Sequence, residues 1–546
     1  MSDFDRREKD VEKNVSVSPH HYGAESPVEE EVGVVHKGAA LKTDLRGRHM
    51  QMISIGGAIG AGLFIGSGGA LASGGPAPLL IGYIVVGAML LMTMQALGEL
   101  AVMYPINGAF YTYVVRFIDP AWGFAVGWEY AIGWLTILPF EIIAASGTIK
   151  YWNNTLDSAI FVTIFLVVLA IIQVFGVRGY GEVEFVLSII KIAACIGFII
   201  FGIVVNVGGV GDKGYLGAKY WHDPGAFHNG FNGFASVFVV ASFAFGGTEL
   251  VGLAAAESAN PRKAIPLAAK QVFFRIFFFY VVNLFVLGLI LPYNDERLTL
   301  GSASQSRFSP FTIAIADAGV AVLPSIFNAV ITISVISVAN SCTFGSTRTM
   351  QALAERGMAP KFLAYVDKHG RPIWAVVIQL AFGLLGYVVD APKGGEAFDW
   401  LLALSGLSYF FVYGSVCLAH IRFRHAWKLQ GRDLREIPYK APLGVWGSWL
   451  GFFLVWICLL ATFYNALYPS PDAQPNAEKF FKVYLAAVIV IALYLFWKIY
   501  SRNWRMYIKL QDIDLVSGSR PLDPSEFDDP NEKKPSWPMR IVRALF

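Results

Sequence analysis

The sequence predicts an all-α polytopic membrane protein with about twelve transmembrane helices, and two observations indicate this fold class. Hydrophobic residues make up 55% of the 546-residue chain and charged residues only 15%, whereas about a quarter of the residues of a soluble globular protein are charged. Apolar stretches of the ~20 residues that cross a bilayer core recur along most of the chain. An ordinary soluble protein is therefore excluded.

We number these apolar stretches as spans 1 to 12, and they divide the chain into three parts. The predicted spans are 51–73, 79–103, 122–146, 158–177, 184–207, 233–256, 273–292, 324–350, 373–390, 398–421, 444–466 and 480–500. We expect a transmembrane domain over residues 46–505. It lies between a disordered N-terminal tail over 1–45, which is polar and has no apolar core of a signal peptide, and a C-terminal tail over 506–546.

Basic residues in the loops predict the orientation. The loop over residues 74–78 has no Lys or Arg, whereas the loop after span 10 contains Arg422, Arg424 and Lys428. Loops rich in Lys and Arg stay on the cytoplasmic side of a membrane. Because the other loops alternate in the same way, we expect both tails to be cytoplasmic.

Charge and cysteine content argue against several kinds of partner. A net charge of +3 is too small to indicate a nucleic-acid partner. The cysteines Cys195, Cys342, Cys417 and Cys458 lie inside apolar stretches, without the spacing of a metal site. We therefore expect no metal and no cofactor.

Glycines interrupt spans 1 and 6, and these interruptions point to a function. Span 1 contains the run Gly56 to Gly69, with a break expected near Gly60 to Gly62, and span 6 contains Gly246 and Gly247 in its middle. Each glycine costs a helix ~1 kcal/mol relative to alanine. Spans 1 and 6 occupy corresponding positions in two five-helix halves of inverted topology, an arrangement typical of secondary transporters. The sequence thus predicts a 5+5 inverted repeat with broken helices 1 and 6 plus two additional helices.

Broken helices at membrane depth expose backbone groups that suit a zwitterion. Free N–H groups at the start of a half-helix bind a carboxylate, and freed carbonyls bind an ammonium group. We expect the α-carboxylate on the N–H groups of Ala61, Gly62 and Leu63, and the α-amino group on carbonyls near Ala58, Ile59 and Phe243. The alternative is that these glycines serve close helix packing. The predicted substrate-binding segments are Ala58, Ile59, Gly60, Ala61, Gly62 and Leu63 in span 1, and Phe243, Phe245 and Gly246 in span 6.

Charged residues inside the apolar spans are a second functional signal. An ionised side chain at the bilayer centre costs about 2.5 to 3.5 kcal/mol on insertion scales unless it faces a partner or water. Glu249 and Lys191 are the stronger candidates for proton coupling, and Glu141 shares a face of span 3 with Glu129. Snorkelling to the interface or a structural ion pair is the alternative, above all for Glu99 and Glu129.

Several of these segments resemble the fungal amino-acid permease family of the amino acid, polyamine and organocation superfamily, nearest to general amino-acid permeases. The resemblance rests on Gly56 to Gly66, Gly98 to Tyr111, Pro139 to Glu141, Phe243 to Glu249, Asn340 to Lys361 and His420 to Arg424, which have the family's order and spacing. Ala61, where many members have a hydroxyl residue, and Tyr413, where tryptophan is common, depart from the pattern.

The resemblance implies import of amino acids across the plasma membrane by proton symport, with Phe243 as an aromatic gate and Lys191 in the place of a coupling ion. Ordinary core packing is the alternative for Phe243. For Lys191 it is a permanent ion pair with Glu249 or Glu129. It also implies that a ubiquitin-ligase adaptor acts on the cytoplasmic tails. The acceptor lysines would be Lys9, Lys13, Lys37 and Lys42. The alternative is that these lysines only solvate the tail and bind anionic lipid.

The predicted side-chain pocket indicates the substrate range. It comprises Gly133 and Ile137 of span 3 with Ser405, Ser408 and Tyr409 of span 10, and it lacks acidic residues apart from the outer Glu141. A broad range with a preference for neutral amino acids follows. The alternatives are a selective permease, of the proline or basic type, and a sensor of the same fold that does not transport. An enzyme is not expected, because no nucleophile and base or metal set shows a suitable spacing.

Overall fold

The computed structural model describes residues 37–38, 45, 47–153, 155–258, 260–300, 309–391, 394–468 and 474–522. The described part of the chain is almost entirely helical, which confirms the all-α fold class. In chain order the helices are α1 (Gly47–Gly56), α2 (Ser67–Gly74), α3 (Pro76–Met103), α4 (Ala109–Phe117), α5 (Pro120–Ile149), α6 (Ser158–Val174), α7 (Gly176–Asn206), α8 (Gly230–Phe245), α9 (Leu250–Leu253), α10 (Pro261–Arg275), α11 (Asn283–Ile290), α12 (Glu296–Leu300), α13 (Pro310–Asp317), α14 (Leu323–Glu355), α15 (Ile373–Gly383), α16 (Gly394–Leu429), α17 (Gly444–Leu467) and α18 (Ala477–Ser501).

Nine helical stretches of the described residues are long and apolar enough to cross a membrane. Two shorter apolar helices, Ser158–Val174 and Ile373–Val389, coincide with spans 4 and 9, and the broken helix α1–α2 coincides with span 1. The protein is thus a multi-pass membrane protein. The count of twelve requires these three shorter segments to cross as well, and it stays a prediction, as does the inverted repeat.

Local sequence signals explain where several helices begin. Asp119 caps α5 by accepting a hydrogen bond from the backbone N–H of Trp122 at 3.0 Å, and Pro120 takes the first helical position, where its missing N–H costs nothing. Asn476 caps α18 by accepting from the N–H groups of Glu478 and Lys479. Each cap satisfies backbone N–H groups at a helix start that would otherwise lack a partner.

The bundle has a buried centre and a periphery that exposes apolar side chains. The apolar windows of α5 and of the stretch Gly230–Glu257, which contains α8 and α9, are each 89% buried, whereas that of α18 is only 17% buried. Peripheral helices instead expose apolar side chains such as Ile171 and Trp446, which suits a surface that faces hydrocarbon. Spans 3 and 6 therefore form the core around which the others pack.

Both breaks are present, and the first lies earlier than predicted. Residues 57–60 are non-helical, and the chain resumes through a π-helical turn at Gly62–Gly66 before α2. The expected position near Gly60 to Gly62 is thus a few residues too late. In span 6, α8 ends at Phe245, Gly247 adopts a φ of +99°, and α9 begins at Leu250.

Parts of both predicted tails pack on the bundle. Lys37–Gly38 (β1) pairs in parallel with Tyr365–Val366 (β2), and Leu45 bridges to Ser258. Lys37, Gly38 and Leu45 belong to the 1–45 segment expected to be disordered. Residues 1–36, which include Lys9 and Lys13, lie outside the described residues, as does Lys42.

The C-terminal strap, residues 503–522, crosses the end of the bundle where α3 ends and α4 begins. The hydroxyl of Tyr104 donates to the carbonyl of Leu515 at 3.0 Å, Arg116 donates to the carbonyl of Ser517 at 2.7 Å, and the side chain of Leu515 is 1% exposed. The strap therefore packs on the predicted cytoplasmic face. The remainder of the predicted C-terminal tail, 523–546, lies outside the described residues.

Candidate substrate site

The two breaks face each other at the centre of the bundle. A Cβ on Gly247 would lie 2.3 Å from the carbonyl oxygen of Gly57, and a Cβ on Gly62 would lie 2.6 Å from the Cα of Ala244. Only glycine permits backbones to approach so closely. The glycine runs of spans 1 and 6 therefore place two interrupted backbones side by side.

Neighbouring spans bind some of the groups that the breaks expose. The hydroxyl of Tyr280 in span 7 donates to the carbonyl of Ala244 at 2.9 Å, and Ser54 donates to the carbonyl of Thr248 at 3.2 Å. The carboxylate of Glu141 lies beside the first break, where a Cβ on Gly60 would be 3.4 Å from its Oε1. A carboxylate of the protein itself therefore lies next to the N–H groups predicted to hold the substrate carboxylate.

Glu249 fixes the second break. Its carboxylate accepts hydrogen bonds from the N–H of Gly247 at 3.1 Å, the hydroxyl of Tyr130 at 2.9 Å and the hydroxyl of Tyr413 at 3.1 Å. These contacts join spans 3 and 10 to the unwound part of span 6. Tyr413, noted above for its departure from tryptophan, stacks on Tyr409 and supplies a hydroxyl that tryptophan lacks.

The predicted side-chain pocket lies between spans 3 and 10. A Cβ on Gly133 would lie 3.2 Å from Ser408 Oγ, and Thr136 Oγ1 is 3.0 Å from Ser405 Oγ. Phe243 packs edge-on against Phe140 of span 3, with ring centroids 4.8 Å apart. Gly133 and Ser405 thus lie where spans 3 and 10 meet, and Phe243 of span 6 packs on span 3.

Phe245 lies on another side of span 6. Its ring packs 4.3 Å from the ring of Tyr280 and 5.7 Å from that of Tyr83, so it contacts spans 7 and 2. With Ala58 and Ile59 it lines a small cavity of about 10 Å³, which is the space of one water molecule.

All predicted site residues are buried, so the site is closed in this conformation. Ile137 is 2% exposed and Phe243 6%. A larger cavity of about 220 Å³ lies near the bundle surface between α3, α10 and the start of α17, and it contains none of the predicted site residues. An opening of the bundle is required before a substrate can enter between the breaks.

Lys191 is fully buried and reaches span 1. Its Nζ donates to the carbonyl of Gly56 at 2.5 Å and lies 3.9 Å from Oε1 of Glu184. The ionic partner that the structure places beside Lys191 is therefore Glu184. Neither Glu249 nor Glu129 has this position.

Two other intramembrane carboxylates differ in their surroundings. Glu99 lies 2.5 Å from Arg424 and 3.1 Å from His420, which matches the structural ion pair considered for it. Both carboxylate oxygens of Glu129 are buried without a hydrogen-bond partner among the described residues, so Glu129 does not snorkel to the interface.

Sequence reasoning missed Glu184 and the three tyrosine hydroxyls around span 6. Glu184 lies seven residues before Lys191, which places both side chains on one face of a helix after two turns. That spacing could have identified Glu184 as a neighbour of Lys191 from the sequence. No sequence pattern could have identified the contacts of the hydroxyls of Tyr130, Tyr280 and Tyr413, because those contacts depend on how separate helices pack.

Two opposed helix breaks at the centre of an apolar multi-pass bundle are typical of membrane transporters. The chain also matches the amino acid permease family model over residues 49–510, and it belongs to the amino acid permease family. It is 50% identical to the general amino-acid permease GAP2 of Candida albicans, over 90% of this chain and 84% of that protein. It is 49% identical to the general amino-acid permease GAP1 of Saccharomyces cerevisiae, over 90% and 83%. It is also 49% identical to cationic amino acid transporter 1 of Schizosaccharomyces pombe, over 93% and 86%. The protein is thus an amino-acid transporter and not an enzyme.

Proposed function

We propose that this permease imports amino acids across the plasma membrane together with a proton, with a broad range that favours neutral substrates. The observation that carries the proposal is the direct apposition of the two breaks at Gly57 and Gly247, at the buried centre of the bundle. Membrane potential and pH gradient would drive uptake together. One charge moving through 100 mV releases ~2.3 kcal/mol, enough for roughly 40-fold accumulation.

The substrate would bind beside a carboxylate of the protein. Its own carboxylate would bind the N–H groups of Ala61, Gly62 and Leu63, next to Glu141, whose Oε1 would be 3.4 Å from a Cβ on Gly60. The second carboxylate oxygen of Glu141 has no hydrogen-bond partner among the described residues, so a proton bound there disturbs no existing contact. Substrate binding and protonation of Glu141 would thereby be linked.

The preference for neutral side chains rests on the pocket between spans 3 and 10. Gly133, Ile137 and Ser405 bring no charge to it, and the carboxylate of Glu249 is already bonded to two tyrosine hydroxyls and a backbone N–H. A neutral side chain needs no charge partner in this lining, and Glu141, the acidic residue near the pocket, binds the proton in this proposal, so a cationic side chain would gain little compensation from it. Competition of labelled uptake by all twenty amino acids tests the range, and inhibition by basic amino acids alone would favour the basic-selective alternative.

Lys191 would couple the proton by losing its charge. Charged, it holds the carbonyl of Gly56, which directly precedes the first break; neutral, it would release that carbonyl and favour the other state of the transport cycle. Lys191→Arg keeps the charge without an accessible pKa, whereas Lys191→Met removes it. Both should abolish pH-driven accumulation while exchange of internal for external substrate partly survives. Normal proton-driven uptake by the Arg variant would contradict this role.

Proton symport itself is tested in intact cells with an uncoupler. Collapse of the proton gradient should abolish accumulation of labelled amino acid. Accumulation that survives the uncoupler, or that requires sodium, would contradict symport. A sensor would bind amino acids and transport none, which the same uptake measurement would reveal.

Regulation through the N-terminal tail is a separate proposal. Lysines 9, 13, 37 and 42 would accept ubiquitin through a ubiquitin-ligase adaptor and direct the permease to endocytosis. Replacing all four by arginine keeps the charge and removes the acceptor. Unchanged turnover of that variant after addition of ammonium would count against the proposal.

A further inference from the structure

Glu184 in α7 is a buried carboxylate at a junction of three helices. Its side chain is 0% exposed, Oε1 accepts a hydrogen bond from Ser337 of α14 at 2.5 Å, and Oε1 lies 3.9 Å from Lys191 Nζ. The other oxygen, Oε2, has no hydrogen-bond partner among the described residues. Oε2 can therefore bind a proton without breaking a hydrogen bond, and it belongs to a carboxylate beside Lys191, the buried lysine of α7.

Gly56 is the third member of the junction. A Cβ at Gly56 would lie 1.8 Å from Glu184 Oε1 and 2.4 Å from Ser188 Oγ, so any other residue at this position would push the carboxylate away from α1. Lys191 bonds to the carbonyl of the same Gly56. Both charged groups therefore touch the last helical residue before the first break.

The position of Glu184 along α7 gives a direction. It precedes Lys191 by seven residues, about 10 Å along the axis at 1.5 Å per residue, on the side of the predicted cytoplasmic end. Glu184 thus lies between Lys191 and the compartment into which an imported proton is released.

The other titratable groups near the pair come from three helices. Glu141 of α5 and Cys195 of α7 interact with Lys191, and Tyr180 of α7 and Cys342 of α14 interact with Glu184. On α1, the group that contacts the pair is the Gly56 backbone. Among the described residues, Glu184 is the carboxylate that lies within ion-pair distance of Lys191, with Oε1 3.9 Å from Nζ.

We propose that Glu184 is the residue that accepts the proton of Lys191 and passes it toward the cytoplasm. The Nζ–H bond of the ammonium breaks and an O–H bond forms on Glu184, so an ammonium and a carboxylate become an amine and a carboxylic acid. The net charge of the pair is zero before and after. The neutral amine loses its charge-assisted hold on Gly56, and the proton on Glu184 then leaves to the cytoplasmic side, which restores the carboxylate. This inference rests on the proposed proton symport.

The experiment measures proton and amino-acid movement together in proteoliposomes, with an internal pH dye and labelled substrate. Glu184→Gln keeps the shape and can still accept the hydrogen bond from Ser337, but it cannot exchange a proton. We expect proton-driven accumulation to fall at least tenfold, while exchange of labelled for unlabelled substrate stays within about twofold of wild type. Glu184→Asp, which keeps a carboxylate, should restore part of the accumulation.

Ser337→Ala provides a second variant that leaves the carboxylate in place. Because it removes the hydrogen bond from Ser337 to Oε1, it should move the midpoint of the pH profile of uptake without abolishing accumulation. If Glu184→Gln moves protons at the wild-type rate and with an unchanged pH profile, the role of Glu184 is overturned while the symport proposal stands. Absence of proton movement in the wild type would instead overturn the symport proposal. If Glu184→Gln fails to fold, an unshifted pH profile of Ser337→Ala overturns the role of Glu184.

Discussion

Gly247→Ala perturbs the contact on which the proposed substrate site depends. Gly247 has a φ of +99°, where an L-residue costs about 1 to 2 kcal/mol. The added Cβ would lie 2.3 Å from the Gly57 oxygen, against 3.4 Å or more for an ordinary contact. The two backbones would have to separate by about 1 Å, and such overpacking costs typically 1 to 3 kcal/mol.

The sum, about 2 to 5 kcal/mol, lowers the population of the apposed breaks by roughly 30-fold to 4,000-fold. We expect Gly247→Ala to lose at least tenfold in uptake of labelled amino acid and to unfold at a lower temperature in detergent. Gly319→Ala is the matched control, because Gly319 has a φ of +73° with open space around it. It carries the dihedral cost without the clash.

Uptake in cells that lack other amino-acid permeases, normalised to the amount at the cell surface, separates the two variants. Gly319→Ala should transport at near wild-type rates with a small loss of stability. Transport by Gly247→Ala at the rate of Gly319→Ala would refute the view that close approach of the two breaks builds the site.

Three further changes test other contacts of the structure. Phe243→Ala removes the ring that packs on Phe140 and should raise the KM for uptake about tenfold or more at unchanged surface level, with Phe243→Leu intermediate; equal KM values would contradict a substrate contact. Arg348→Met leaves Glu257, 2.8 Å from Arg348 in the native structure, buried and unpaired, which costs about 3 to 5 kcal/mol; in thermal unfolding the double variant with Glu257→Gln should be more stable than the single one. Leu515→Asp puts a charge at a 1% exposed position of the strap and should make residues 503–522 sensitive to protease, whereas a protected strap would show that it is held by its backbone hydrogen bonds alone.

The sequence by itself determined the membrane class, the approximate spans, the two breaks and the identity of Lys191 as a buried cation. These features are local. Hydrophobicity over ~20 residues, clusters of glycine and a charge inside an apolar stretch can be read without knowing which helix lies next to which. The first break was misplaced by a few residues because glycine content lowers helix stability over the whole segment 56–69 without selecting one turn.

The tertiary structure decided which groups meet. That Gly57 touches Gly247, that Glu184 and not Glu249 stands beside Lys191, and that Phe245 faces spans 2 and 7 all depend on the rotation of each helix about its axis and on its neighbours. A rotation of one residue, 100° in an α-helix, would exchange these partners although the composition and mean hydropathy of the span stay the same. Packing between helices, rather than composition within them, therefore assigns the contacts of the candidate site.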